Sequence, residues 1–192
     1  MKQTSPIISF ITICYNGLND TCELIESLRT TIHSVSYEII VVDNASRQDE
    51  ARMIQERYPF VRTLRSEKNL GFAGGNNLGI QIAQGQYLFL INNDTYLTED
   101  GLPALIERLE SNPRIGAVSP KIRFAFPPQN IQFAGYTKLS PYTMRNKALG
   151  MGCPDDATFS TPQRLPSWSR TDAETGGHLE SRADAGDLFP LL

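Results

Sequence analysis

Four short polar segments carry the side chains able to do chemistry. Asp94 closes the run Asn92-Asn93-Asp94. A carboxylate beside amide oxygens offers hard donors to Mg²⁺ or Mn²⁺ and leaves coordination positions open for phosphate oxygens. The same residue types also favour a plain turn. Asp43-Asn44 is a second cluster. Its carboxylate can accept from the N3–H of a uracil or thymine ring, or else cap the helix expected after Ala45-Ser46. Tyr15 offers a ring that covers a base or simply packs. The fourth segment runs from Asn69 to Asn77, with Gly71, Gly74 and Gly75 inside it. Glycine lets a backbone approach a ligand closely, and a helix starting just beyond presents free N–H groups to a diphosphate. A glycine cap followed by a turn is the alternative. The segment has neither the G-x-G-x-x-G spacing nor the Lys-Ser/Thr of a P-loop, so a dinucleotide fold and an ATPase are not indicated.

These segments follow strand-like runs. Ile7–Ile13 is a compact β-rich run, and Glu38–Val42 is a second. Val61–Leu64 is a short third, and Tyr87–Ile91 reads as a fourth buried strand. Between them lie helical patterns. One is capped by Asn19 or Asp20, with Cys22, Ile25, Leu28 and Ile32 at helical spacing. Another spans Arg47–Tyr58 and stops at Pro59, and a third runs from Asn76 to Gln84 after a glycine-rich loop at Gly71–Gly75. Further on, Leu102–Leu109 reads as a helix, and Gly116–Ser119, Ile122–Phe126 and Ile131–Ala134 as strands. Alternating strands and helices predict an α/β fold: a mostly parallel central sheet with helices on both faces. Ligands of such sheets bind beyond the C-terminal strand ends. Tyr15-Asn16, Asp43-Asn44 and Asn92-Asn93-Asp94 all fall there.

Composition excludes several classes. The chain has 192 residues, 40% hydrophobic and 20% charged, which suits a globular domain. A net charge of −3 gives no support to nucleic-acid binding. No apolar run is long enough to span a bilayer, and the N-terminus lacks a signal-peptide pattern. Cys14, Cys22 and Cys153 fit neither a disulfide framework nor a zinc spacing. The expectation is a cytoplasmic protein with Cys14 and Cys22 as buried small apolar residues.

The chain order of the clusters closely resembles the family 2 glycosyltransferases of the GT-A fold. The motifs are ITICYNG, YEIIVVDNAS, KNLGFAGGNN and YLFLINNDTYL, and the resemblance runs from about Ile7 to Gly152. The N-x-G-F-A-x-G-x-N form looks most like the rhamnosyltransferase subgroup. The resemblance implies inverting transfer of a sugar from a UDP- or dTDP-linked donor to a glycan or lipid-linked acceptor, in polysaccharide or cell-envelope assembly. It also implies a cytoplasmic location that includes the inner face of the membrane. By position it makes Thr12 and Tyr15 nucleotide-contacting and Asp43, with Asn44, base-reading. Asn69, Gly71, Gly74, Gly75, Asn76 and Asn77 approach the ribose and diphosphate, with Asn93 beside them. Asn92-Asn93-Asp94 takes the place of the Asp-x-Asp metal motif, with Asp94 and Asn92 toward Mg²⁺ or Mn²⁺. Asn92 stands where the family has its first Asp, which lowers the charge offered to the metal. A nucleotidyltransferase would carry a glycine-rich basic loop after its first strand, where this chain has Cys14-Tyr15-Asn16-Gly17. A non-catalytic nucleotide-binding module is the other alternative, and a transfer assay separates it from an enzyme.

The resemblance divides the chain into an incomplete nucleotide-sugar-binding domain over 1–160 and an aberrant tail over 161–192. Residues from Trp168 to Gly177 show neither strand nor helix periodicity and read as disordered. The family has there a helix, an LMPE segment and an acidic pair that supplies the catalytic base. Codons for Ser167–Leu192, displaced by one nucleotide, permit a string ending in LMPEIFFLYYE. The expectation is a frameshift near Pro162–Pro166 and a GT-A fold incomplete at its C-terminus. The general base is lost with it, and His178 is not a ligand.

Overall fold

A computed structural model describes residues 6–137, 140, 142–159, 164–165 and 173–181, the last two stretches by backbone pairing. The chain divides into two compact units, 1–95 and 96–192.

The first unit is built from β1 (Ile8–Cys14), α1 (Leu18–Thr31), β2 (Tyr37–Asp43), α2 (Glu50–Arg57), β3 (Arg62–Arg65), α3 (Gly71–Ile82) and β4 (Tyr87–Leu90). Its four strands are parallel in the order β3-β2-β1-β4. β1 is therefore central, and the ends of β2 and β4 flank it. Alternation along β1 sends Ile11 and Ile13 to one face. There Gly79 and Gly75 of α3 lie against them. Ile11, Ile40 and Val42 form a core with Leu78, Ile82, Ala83 and Leu90. Phe10, Thr12 and Cys14 face the other way, toward α1 and α2. Phe10 meets Tyr37 edge-on at 5.6 Å, the Tyr37 hydroxyl reaches the Leu28 carbonyl at 3.5 Å, and the Cys14 thiol reaches Glu50.

Several expected boundaries differ. α1 starts at Leu18 with Gly17 as N-cap, so neither Asn19 nor Asp20 caps it. α2 begins at Glu50, because Asp49 caps it by accepting from Arg52 N. α3 begins at Gly71 rather than Asn76, so the expected glycine-rich loop is helical. Packing demands glycine at the middle of the helix, since a Cβ on Gly79 would stand 2.4 Å from Ile11 Cγ2. β4 is an edge strand, and Leu88 is 47% exposed where a fully buried run was expected.

A polar network closes the N-terminal edge of the sheet. Glu38 Oε1 accepts from Ser9 Oγ at 2.7 Å and Gln84 N at 2.6 Å, and Oε2 accepts from Arg62 Nη1 at 2.8 Å. Arg62 also donates to the Ile82 carbonyl at 2.7 Å, fastening the end of α3. Burial opposes the Glu38 charge, but the bonds from Ser9, Arg62 and Gln84 outweigh it and hold the carboxyl below its usual 4.5. A folded-state pKa below the unfolded one stabilises fully above the unfolded value and is lost as pH falls through the folded value. Glu38→Gln is expected to lower the unfolding temperature at neutral pH. It should also flatten the loss of stability as the pH falls from about 5 toward 3. Thermal unfolding across that range checks both, and an unchanged acid slope would show that the network is not coupled to folding.

After the short β5 (Thr95–Tyr96), the second unit comprises α4 (Leu102–Glu110), β6 (Ala117–Phe124), β7 (Ile131–Phe133), β8 (Arg164–Leu165) and β9 (Ala173–Ser181). β6 is one strand where two were expected across Pro120. It pairs antiparallel with β7 and parallel with β9, and its register with β9 shifts between Ser119 and Lys121. A proline cannot donate to a ladder, and an irregularity absorbs it. β8 pairs with β9. Lys121, 8% exposed, donates to the Asp155 carboxylate and at 3.4 Å to the Phe159 carbonyl. Of the predicted tail, 173–181 lies in β9. Of the expected frameshift point at Pro162–Pro166, only Arg164 and Leu165 are described, in β8; 162–163, 166–172 and 182–192 lie outside the described residues.

Candidate nucleotide-binding site

The C-terminal ends of β1 and β2, the start of α3 and the turn after β4 surround a cavity of about 260 Å³. Ile13, Tyr15, Asn44, Asn69, Gly71, Phe72, Asn92 and Asn93 line it, all within the first unit. Topology brings them together: β2 and β4 both border β1, so residues distant in sequence end on one edge of one sheet.

Asn44 organises the far wall and is 3% exposed. Its Nδ2 donates to Asn69 Oδ1 at 3.0 Å and to the Gly71 carbonyl at 3.2 Å, while Oδ1 accepts from Leu70 N at 2.9 Å. Asn69 Oδ1 also accepts from Gly71 N at 2.8 Å. Gly71 has φ +68°, a left-handed conformation that suits glycine, and nothing lies near a Cβ there. The first amides of a helix have no acceptor within it, so the start of α3 faces the cavity as a positive helix end. Phe72, 39% exposed, stands on this wall, and Tyr15, 52% exposed, stands at the end of β1.

Asn92 and Asn93, which open the Asn92–Thr95 turn, form the near wall. Thr95 donates to the Asn92 carbonyl from N at 3.3 Å and from Oγ1 at 2.6 Å. Asn93 Nδ2 reaches Thr21 Oγ1 at 3.1 Å and the Gly17 carbonyl at 3.4 Å. These bonds tie the turn to the start of α1. Asn92 is exposed and lines the cavity; Asp94 is partly exposed and is not among the lining residues, although it follows Asn93 directly in the turn. Among the described residues no three His, Cys, Asp or Glu side chains cluster as a metal cage. One carboxylate with amide oxygens is still a hard donor set, suited to an ion that takes its remaining ligands from phosphate and water.

Other predicted residues stand elsewhere. Thr12 is 1% exposed on the α1–α2 side, and its buried hydroxyl has no hydrogen-bond partner among the described residues; its neighbour Ile13 reaches the cavity instead. Asp43 is fully buried and turned toward α2. Its Oδ1 accepts from Ser46 N at 2.8 Å and its Oδ2 from Ala51 N at 3.4 Å, with Arg65 Nη1 at 3.7 Å. This is the capping geometry weighed above. Asn76 is buried in α3 and donates to the Phe72 carbonyl at 3.1 Å. Gly74 and Gly75 approach Leu70 and Ile13 rather than lining the cavity. Asn77 is exposed on α3 and is not among the lining residues.

Sequence reading missed Glu50. Its Oε2 accepts from Cys14 Sγ at 2.8 Å, Gly17 N at 3.1 Å and Ser46 Oγ at 3.1 Å. Ser46 Oγ in turn accepts from Asn16 N at 2.9 Å. One carboxylate therefore ties the loop after β1 to the loop after β2. Burial, then the bond to Glu50, pushes the Cys14 thiol up to about 12, so it remains a protonated donor. The only local signal was an acidic residue in a helix's first turn, which the helix dipole favours anyway.

A family model described as Glycosyl transferase family 2 matches residues 9–164. The poly-beta-1,6-N-acetyl-D-glucosamine synthase of Staphylococcus epidermidis is 32% identical over 126 residues, covering 60% of this chain and 29% of its own. The succinoglycan biosynthesis protein ExoO of Rhizobium meliloti is 28% identical over 107 residues, covering 55% of this chain and 30% of its own. The crystal structure of S. aureus TarS superposes with a TM-score of 0.52 at 23% identity, covering 62% of this chain and 22% of that one. The chain spans about a third of the length of the curated relatives it matches, from 29% to 38%. No helix among the described residues is long and apolar enough to cross a membrane.

Proposed function

Because the chain belongs to glycosyl transferase family 2, and its first unit carries the parallel sheet of that fold, we propose that its cavity binds the nucleotide diphosphate of a sugar donor. The observation that carries this reading is the cavity itself. Tyr15, Asn44, Asn69, Gly71, Asn92 and Asn93, predicted from separate segments, line one space beside the start of α3.

Tyr15 covers the base, a pyrimidine carried as UDP or dTDP. The Asn69–Phe72 wall and the α3 amides take the diphosphate. Asp94 and Asn92 hold a divalent Mg²⁺ or Mn²⁺, which supplies charge neutralisation for a leaving diphosphate. Asp43 shapes the turn beneath; a direct contact with the base requires its carboxylate to leave Ser46 and Ala51. Thr12, Gly74, Gly75, Asn76 and Asn77 act by packing and by placing α3.

The reaction proposed for the whole protein is inverting transfer, with rhamnose as the sugar, to a glycan or lipid-linked acceptor at the cytoplasmic membrane face. Two relatives named for polysaccharide synthesis support that setting. The domain is 1–160, and 161–192 is read out of frame, so the acceptor-activating base is missing and transfer is weak or absent. Resequencing the gene around codons 162–166 tests this, and an intact frame in independent isolates would end it.

Calorimetric titration with UDP and with dTDP, with and without Mn²⁺, tests donor binding. Metal-dependent uptake is expected. Loss of an outer-shell metal partner typically costs about 10- to 100-fold in affinity, so Asp94→Ala should cost at least that. Absence of binding to any nucleoside diphosphate would overturn the proposal.

A further inference from the structure

We propose that the hairpin tip formed by Ser140 and residues 142–147 in the second unit is a docking surface for an anionic membrane face. This deepens the membrane-face placement in the reading above, but its test is independent of the donor site.

The hairpin is built by backbone pairing. Ala134 N donates to the Leu149 carbonyl at 3.0 Å, Leu149 N to the Gly135 carbonyl at 2.7 Å, and Thr137 N to the Lys147 carbonyl at 2.9 Å. Ser140 N then reaches the Arg145 carbonyl at 2.9 Å, and Met144 N the Ser140 carbonyl at 2.9 Å, closing a tight tip. At that tip Tyr142 is 94% exposed and Met144 is 53% exposed, with Arg145 and Lys147 exposed beside them. A ring that open contributes nothing to the fold of the second unit.

Charge selects the partner. Between Glu110 and Asp155 the chain carries Arg114, Lys121, Arg123, Lys138, Arg145 and Lys147 and no Asp or Glu, although its net charge is −3. Lys121 is engaged by Asp155; Arg145 and Lys147 follow Met144 in the chain and are exposed. An amphipathic ring and a flexible thioether followed by two cations match the composition that seats at a headgroup boundary. Each basic residue near an anionic surface adds about fivefold to binding. A flat charged surface can take exposed side chains of this kind without a groove to receive them.

Co-sedimentation of the full chain with phosphatidylglycerol-containing vesicles, and with phosphatidylcholine vesicles, tests the proposal at low and at high salt. Binding is expected only to the anionic vesicles and should weaken with salt. Tyr142→Ser with Met144→Ser, and separately Arg145→Gln with Lys147→Gln, should each reduce the bound fraction at least tenfold. Both pairs should leave the unfolding temperature and the nucleotide titration unchanged. Equal binding to both vesicle types, or no binding to either, would overturn it. Full retention by the Tyr142/Met144 variant would mark a surface for a soluble polyanion and would equally overturn it.

Discussion

An Asn44→Asp variant is expected to lose both stability and nucleoside diphosphate binding at neutral pH. The substitution keeps the oxygen that accepts from Leu70 N and changes only the donor side. A carboxylate oxygen then faces Asn69 Oδ1 and the Gly71 carbonyl, which Nδ2 now meets at 3.0 Å and 3.2 Å. The position is 3% exposed, so water does not screen the repulsion. Asn69 cannot relieve it by turning its amide over without losing the bond from Gly71 N. An uncompensated buried charge costs on the order of 3–5 kcal/mol, a large share of the stability of a small domain. The new carboxyl relieves part of this by staying protonated. Its folded pKa is then raised above the unfolded one, so the variant should regain stability as the pH falls toward the unfolded value. Because the Asn69–Gly71 wall moves, affinity for UDP or dTDP should fall by about a hundredfold, which corresponds to roughly 2.7 kcal/mol. Thermal unfolding at several pH values and a titration at pH 7.5 read both effects. A variant as stable as the parent at neutral pH would show that Asn44 does not hold the wall.

Replacing Gly79 by valine should prevent the first unit from folding. A Cβ at this position stands 2.4 Å from Ile11 Cγ2 and 3.4 Å from Val42 Cγ2. Both neighbours are fully buried at the centre of the sheet, so neither has solvent to move into. Gly79→Ala sets two effects against each other. Alanine gains about 1 kcal/mol of helix propensity, while overpacking a tight core costs about 1–3 kcal/mol. At a 2.4 Å approach overpacking wins, and a net loss of up to about 2 kcal/mol is expected. Valine adds two further carbons to the same contact and forces α3 off the sheet. Gly75→Ala is the milder comparison, because its Cβ meets one side chain, Ile13, at 2.9 Å from Cδ1 and 3.1 Å from Cγ1, and Ile13 borders the cavity and has room to turn. That variant should stay within about 1 kcal/mol of the parent. Urea unfolding of the three proteins gives the order directly. A Gly79→Ala protein more stable than the parent would show that α3 has room to move. The same close approach aims the start of α3 at the cavity, so the glycines serve the site through the packing of a whole helix.

Much of this arrangement is legible in the sequence. The apolar runs at β1 and β2 need both faces covered, and the helical spacing of Cys22, Leu28 and their neighbours supplies the cover. Strands alternating with helices force a parallel sheet, and that places Tyr15, Asn44 and Asn92 on one edge before any coordinate is known. Local rules fail where packing overrides them. Glycine's poor helix propensity argues for a loop at 71–75, yet the segment is helical from Gly71, with Gly75 close against Ile13 and Gly79 against Ile11. Pro120 argues for two strands, yet one strand continues with a shift in its register.

The order of elements and the edge on which their polar residues gather were determined by hydrophobic period and chain order, which are properties of the sequence alone. Tertiary structure decided where each side chain points. It turned Asp43 inward to Ser46 and Ala51, set Ile13 rather than Thr12 at the cavity, and joined two loops through Glu50. Those choices depend on which donors lie within about 3 Å in space. Sequence separation says nothing about that distance: Glu50 lies far along the chain from Cys14 and Gly17, yet binds both.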